Sequence, residues 1–215
     1  MLPLDQKTIL SAVKEAKEKS EKRKFNQSVE LILKLRDVDM KSEGKIQEIV
    51  ELPFSPAKTN KICVIGSSEL ALKAKKANAD LVIERAELDG LAGKKRELRK
   101  IAADNDVFIA EAPLMTTVGK ILGPVLGPRG KMPIPVPPGA DIASLMAKHR
   151  KTVLVRTRNQ PIVQCRIGTE DMKEEELTEN IQAVLRVIEG KLKKGIKNIK
   201  FASIKTSMGT PVKIK

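Results

Sequence analysis

The 215-residue chain carries 41 Lys and Arg against 27 Asp and Glu, a formal net charge of +14, so a polyanionic partner is the first expectation. Hydrophobic residues, at 41%, suffice to build the core of one large domain or two small ones. Trp and Tyr are absent and only Phe25, Phe54, Phe108 and Phe201 are aromatic, which excludes the base-stacking platforms of single-strand binders and leaves recognition of nucleic-acid shape.

Residues 4–22 place Ile9, Leu10, Val13 and Ala16 on one helical face among Lys and Glu, the pattern of an amphipathic helix docked on a core. The N-terminal stretch lacks the apolar run, roughly 7 to 15 residues long, of a secretory leader. No segment is apolar enough over sufficient length to predict a membrane span, so a cytoplasmic location is expected. From Ser28 onward Val29, Leu31, Leu33 and Leu35 alternate with Glu30, Ile32 and Lys34, which predicts a strand with one face buried. A second strand fits 45–52. Pro53 and Pro56 end the pattern, because proline removes a backbone donor and biases the residue before it away from helix, and a domain boundary is placed there.

The rhythm then changes. Strands at 61–65, 80–84 and 106–111 alternate with helices from about Glu69 and over 94–103, which predicts a parallel sheet flanked by helices. A Gly/Pro-rich loop over 119–139, a helix at 142–148 and a strand at 152–157 extend this α/β domain. Beyond Arg158 come a strand at 162–167, a long helix at 172–189, a strand at 196–205 and a last strand after Pro211. Neither chain end has enough strands for a stable sheet, so the economical solution pairs the two ends around the middle. The expected fold class is α/β in two domains, one from 1–57 with 158–215 and one inserted at 58–157. Cys63 and Cys165 each sit in an apolar run without metal or redox spacing, which predicts buried, reduced thiols.

Motifs that would carry catalysis fail on inspection. Gly130-Lys131 could end a phosphate-binding loop, but Val125 stands at its first glycine position and Met132 at its hydroxyl position. Gly66-Ser67-Ser68 is not a dinucleotide fingerprint, so no cofactor is expected. His149, the only histidine, lies among Lys148, Arg150 and Lys151 with no adjacent acid, which argues against acid–base chemistry. Glu170, Asp171, Glu174, Glu175 and Glu176 read as a helix start, where the macrodipole favours carboxylates, rather than as a metal site. The chain is not expected to be an enzyme.

Binding motifs are more numerous. Lys120, Arg129 and Lys131 of the Gly/Pro-rich loop either meet phosphates or decorate a rigid surface loop. Residues 191–215 hold eight lysines and no acid, a density suited to neutralisation by phosphates or, alternatively, to a solvated strand edge that blocks aggregation. Thr206, Ser207, Met208 and Gly209 offer hydroxyls, an adaptable apolar side chain and close backbone approach, or simply a hairpin turn. Upstream, Ser28 and Glu30 face away from the core, and Phe25 is either a contact residue or a core anchor. An outward carboxylate in a basic protein can accept from a guanine edge or a ribose 2′-hydroxyl, which favours RNA over the rival reading of a general DNA-binding protein.

Three stretches, Lys24-Phe25-x-x-Ser28-Val29-Glu30, the loop from Gly119-Lys120-Ile121-Leu122-Gly123-Pro124 through Leu126-Gly127-Pro128-Arg129-Gly130-Lys131-Met132-Pro133, and Ser207-Met208-Gly209, together resemble the ribosomal protein L-one family of large-subunit stalk proteins. Thr210 after Gly209, where the bacterial branch usually has proline directly, is similar to the archaeal and eukaryotic branch. The resemblance implies an α+β domain formed by both chain ends and an inserted Rossmann-like three-layer α/β domain. It also implies a ribosome-associated protein, monomeric when free, that binds 23S-type rRNA at the mobile stalk. By the same resemblance Lys24, Phe25, Ser28, Glu30, Ser207, Met208 and Gly209 form the RNA surface, with Arg166 and Thr206 as further candidates. Release of deacylated tRNA from the exit site, with Lys120, Arg129 and Lys131 as secondary RNA contacts, and repression of the protein's own mRNA through its leader are further implications.

Overall fold

The computed structural model describes residues 5–38, 46–55, 59–157 and 160–214; Leu4, Lys45, Pro56, Arg158 and Lys215, which the expectations above include, lie outside them. The chain opens with α1 (Gln6–Glu18), β1 (Ser28–Leu35) and β2 (Gln47–Glu51). Next come β3 (Ile62–Gly66), α2 (Ser68–Lys76), β4 (Leu81–Glu84), α3 (Arg85–Gly90), α4 (Lys95–Asp104) and β5 (Val107–Glu111). They are followed by α5 (Met115–Ile121), α6 (Gly123–Arg129), β6 (Ile134–Val136) and α7 (Ile142–Arg150). The chain returns through β7 (Thr152–Arg156), β8 (Ile162–Thr169), α8 (Glu174–Lys191), β9 (Ile199–Thr206) and β10 (Val212–Lys213). Two units result, Met1–Lys58 with Lys151–Lys215, and Thr59–Arg150.

In the first unit the alternation of β1 becomes a buried face, with Val29, Leu31, Leu33 and Leu35 at most 2% exposed. β1 lies inside an antiparallel sheet of order β10-β9-β1-β8, so its neighbours come from the far end of the chain. Ile9 and Val13 of α1 and Leu177, Ile181, Val184 and Ile188 of α8 cover the inward face, and among the described residues no helix packs on the other. The acidic run opens α8 as a helix start does: Glu174, Glu175 and Glu176 form its first turn, and the Glu176 carboxylate accepts from the Lys173 amide at 3.1 Å. Asn180, fully buried on α8, donates to the carbonyls of Phe54 and Ile167 at 3.0 and 2.9 Å and accepts from the Phe54 amide at 3.0 Å. Cys165 lies in this core and Cys63 in the other unit, both free, and burial pushes each thiol up to about 12.

Two segments of the first unit depart from the sequence reading. The strand expected at 152–157 as the last of the middle domain is β7, which pairs antiparallel with β2 and brings Val155 into the first unit's core, so the inserted unit ends at Arg150. Its position after a helix imitates a further β-α repeat; its pairing direction does not. The strand expected at 196–205 begins at Ile199, because Asn198 accepts from the Lys194 amide at 2.8 Å and donates to the Arg36 carbonyl at 2.9 Å, holding Gly195–Asn198 in a 3₁₀ turn.

The inserted unit is a parallel sheet of order β4-β3-β5-β6 between two helical layers. Ile62 and Val64 of β3 pack on Leu70, Ala74, Ile142 and Met146, and Cys63 and Ile65 of the same strand pack toward Leu88, Leu98, Leu122 and Leu126. The expected loop at 119–139 is helical as far as Arg129, apart from a turn at Leu122, and then enters the short strand β6. Pro124 sits in the first turn of α6, where no amide is needed, and Gly130 closes the helix in the left-handed region at φ 70° with the Lys131 amide reaching back to Leu126 at 3.1 Å. Val118, Leu122 and Leu126, four residues apart, give α5 and α6 one buried stripe. Pro124 and Gly130 thus mark the two ends of α6, while Gly127 and Pro128 are carried within it.

Candidate nucleic-acid interface

Where the strand order of the inserted sheet reverses, between β3 and β5, such folds hold ligands at the carboxyl ends of the strands. Here the Glu111 carboxylate accepts from the Ser67 amide at 2.7 Å, just where an anion would meet the start of α2. Leu70 would stand 2.5 Å from a Cβ at Gly66, and only about 20 Å³ of space remains beside Ser67, Glu111 and Gly139. The chain's own carboxylate fills the crevice. Among the described residues no cluster of His, Cys, Asp and Glu could hold a metal, and no helix is long and apolar enough to cross a membrane.

The first unit instead builds a surface around Gln27, which is fully buried. Its side-chain amide donates to Ser20 Oγ and to the Glu21 carbonyl, both at 2.9 Å, while its carbonyl oxygen accepts from the Met208 amide at 3.1 Å. Its backbone carbonyl accepts from the Glu170 amide at 2.9 Å. One residue on, the Ser28 amide donates to Ser207 Oγ at 3.1 Å. The Thr206 hydroxyl shares a 2.9 Å hydrogen bond with Ser20, and the Gly209 amide returns to the Thr206 carbonyl at 3.2 Å. A Cβ at Gly209 would stand 2.3 Å from Thr206 Oγ1, so the turn needs glycine for closeness. This polar frame holds Met208 65% exposed, and Phe25, two residues before Gln27, is 51% exposed rather than a core anchor. Lys24 is exposed beside it.

The frame continues into the uncovered sheet face, where Glu30 stands opposite Arg166 on β8 and Lys205 on β9. Ser28, Glu30, Arg166, Ser207, Met208 and Gly209 are thus brought onto one part of the first unit. Thr206 is corrected from a surface residue to a support, since it is fully buried beneath Gly209. Residues 191–215 carry no acid of their own, but acids reach them from elsewhere: Lys191 pairs with Glu48 at 2.9 Å and Lys194 lies 4.0 Å from Asp37.

Lys120 and Arg129, in the last turns of α5 and α6, are exposed on the inserted unit. Lys131 is corrected too: its ammonium donates to the carbonyls of Asn105 and Ala102 at 2.6 and 3.2 Å and lies 3.6 Å from Asp106, capping the end of α4. Lys131→Met is therefore expected to destabilise the inserted unit by about 1 kcal/mol in denaturant unfolding.

The model of the ribosomal protein L1p/L10e family matches residues 15–210. The chain is 49% identical over 205 residues to the large ribosomal subunit protein uL1 of Hyperthermus butylicus, covering 95% of this chain and 94% of that one. It is 47% identical over 210 residues to the uL1 of Methanothermobacter thermautotrophicus, covering 97% and 99%, and 45% identical over 213 residues to that of Methanocaldococcus jannaschii, covering 99% and 97%. With the motifs, the two-unit α/β fold and this similarity along nearly all of its length, the chain belongs to the ribosomal protein L1p/L10e family, whose members are structural proteins and not enzymes.

Proposed function

We propose that this protein is a component of the large ribosomal subunit that binds 23S-type rRNA at the mobile stalk through the first unit. The observation that carries the reading is the pair of exposed apolar side chains, Phe25 and Met208, set on a hydrogen-bonded frame beside a basic strand row. Apolar groups fixed this way favour a partner that covers them, and ribose and base surfaces supply such cover while the neighbouring cations draw in phosphates. The outward carboxylate of Glu30, opposite Arg166 and Lys205, supports the choice of RNA, since a carboxylate accepts from a 2′-hydroxyl or a guanine edge, a demand duplex DNA meets poorly. Lys24, Ser28, Ser207 and Gly209 complete the surface.

The same face reads a matching structure in the leader of the protein's own mRNA, and occupation there represses translation. Exposed Lys120 and Arg129 on the inserted unit contact deacylated tRNA during its release from the exit site. The protein works in the cytoplasm on the ribosome, without a cofactor, and is monomeric when free.

Competition at matched salt tests this. A stalk rRNA fragment is expected to displace labelled rRNA about a hundredfold more effectively than duplex DNA does, and equal displacement overturns the reading. Failure of the messenger leader to compete removes the repressor role alone.

A further inference from the structure

Past Glu30, the outward face of the sheet continues as two more rows across the strands. Gln164, Ile32, Ser203 and Lys213 form the first, and Ile162, Lys34 and Phe201 the second. Phe201 is the only aromatic residue on this face, and it is half-buried on the side opposite the core. Two ammoniums approach its ring, Lys34 Nζ at 5.9 Å and Lys213 Nζ at 5.8 Å from the centroid. Among the described residues no carboxylate lies within ion-pair distance of either lysine, unlike Lys191 and Lys194. Two like charges drawn to one ring repel each other, and the ring's negative face offsets this only in part. Among the described residues the arrangement is a preformed pair of cations without a carboxylate partner, and phosphate oxygens are the chemistry that neutralises it.

We propose that Lys34, Phe201 and Lys213 form a second anchoring site for the RNA backbone, in which the ring positions both ammoniums for phosphodiester oxygens. The site lies about 13 Å along β1 from Glu30, at roughly 3.3 Å per residue, so one RNA strand running over the open face meets the Phe25–Met208 end and then this one. Phe201 acts here as a positioning residue and takes no base. The proposal rests on the RNA-binding reading above and adds a second point of attachment to it.

The test is the affinity of the full chain for the stalk rRNA fragment over a potassium chloride series, with thermal unfolding as the check on folding. The double variant Lys34→Gln, Lys213→Gln is expected to reduce the log–log salt slope by about 1.5, the contribution of two phosphate contacts. Lys191→Gln, which removes a lysine already paired with Glu48, is the control and leaves the slope unchanged. Phe201→Leu keeps the charge and is expected to weaken binding about threefold, while Phe201→Tyr retains wild-type affinity. An unchanged slope in the double variant, or wild-type binding by Phe201→Leu, overturns the site. If the wild-type chain itself shows no preference for rRNA over duplex DNA, the RNA-binding reading falls instead, and the two failures are thereby distinguished.

Discussion

Replacing Phe25 and Met208 together by alanine is expected to weaken binding of the stalk rRNA about a hundredfold with no change in salt slope. Both side chains are exposed in the free protein, so their loss leaves the core intact. If RNA covers them, each truncation forfeits about 1.5 kcal/mol of apolar burial, and the summed 3 kcal/mol or so corresponds to roughly two decades in Kd. Neither residue carries charge, so the number of counterions released on binding stays the same. Filter binding at several salt concentrations measures both quantities at once. Equal binding by variant and wild type would remove these residues from the interface, and a flattened slope would show that the turn had pulled cations out of place.

Asn180→Ala is the substitution expected to harm folding most, costing the first unit about 3 kcal/mol in urea unfolding. The side chain satisfies the Phe54 amide, the Phe54 carbonyl and the Ile167 carbonyl, and it is fully buried. Alanine cannot replace any of these bonds, and no water has access while α8 remains in place. Asn180→Asp would keep the acceptor, lose both donors and bury a carboxylate facing two carbonyls, so it is expected to be worse still. A loss below about 1 kcal/mol in either variant would mean that the segment after β2 detaches from α8 at little cost.

The fold was legible wherever burial imposes a period. Val29 to Leu35 announce β1, and the repeat of strands and helices from Ile62 to Glu111 announces a parallel sheet, because each element must hide one face. β7 was assigned to the wrong domain because its residues, Thr152 to Arg156, suit either sheet; only a partner five residues long at Gln47–Glu51 decides between them. The Gly/Pro-rich stretch misled for a different reason. Proline at a helix start and glycine at a helix end are the same letters that build loops, and the buried stripe Val118, Leu122, Leu126 was the signal that separates the two cases.

The candidate site was half legible. Residues that show a side chain to solvent, such as Phe25, Glu30 and Met208, stand out from their neighbours, whereas Gln27 and Asn180 work out of sight. Gln27 nevertheless had a mark: continued backward, the inward phase of Val29, Leu31 and Leu33 falls on it, and a long amide on the buried side of a strand must find partners. Phe201 carried the opposite mark, an aromatic in the outward phase of a strand whose inward residues are Ala202 and Ile204. Lys131 could not be separated from Arg129 by sequence, because what commits it is a pair of carbonyls at Ala102 and Asn105, more than two dozen residues away.

The placement of β1 also sets an order of events during translation. Val29 pairs with Gly168 on one side and Thr206 on the other, so the strand leaves the synthesising ribosome long before either neighbour exists. The inserted unit draws its whole sheet from consecutive residues, Ile62 to Val136, and can close first, as domains generally do when their sequence has emerged. A truncated chain therefore carries a finished inserted unit and an unpaired apolar strand, the kind of exposed edge that chaperones and proteases recognise. The frame around Gln27 closes last of all, because the Met208 amide and the Ser207 hydroxyl that complete it are made after every residue of the inserted unit.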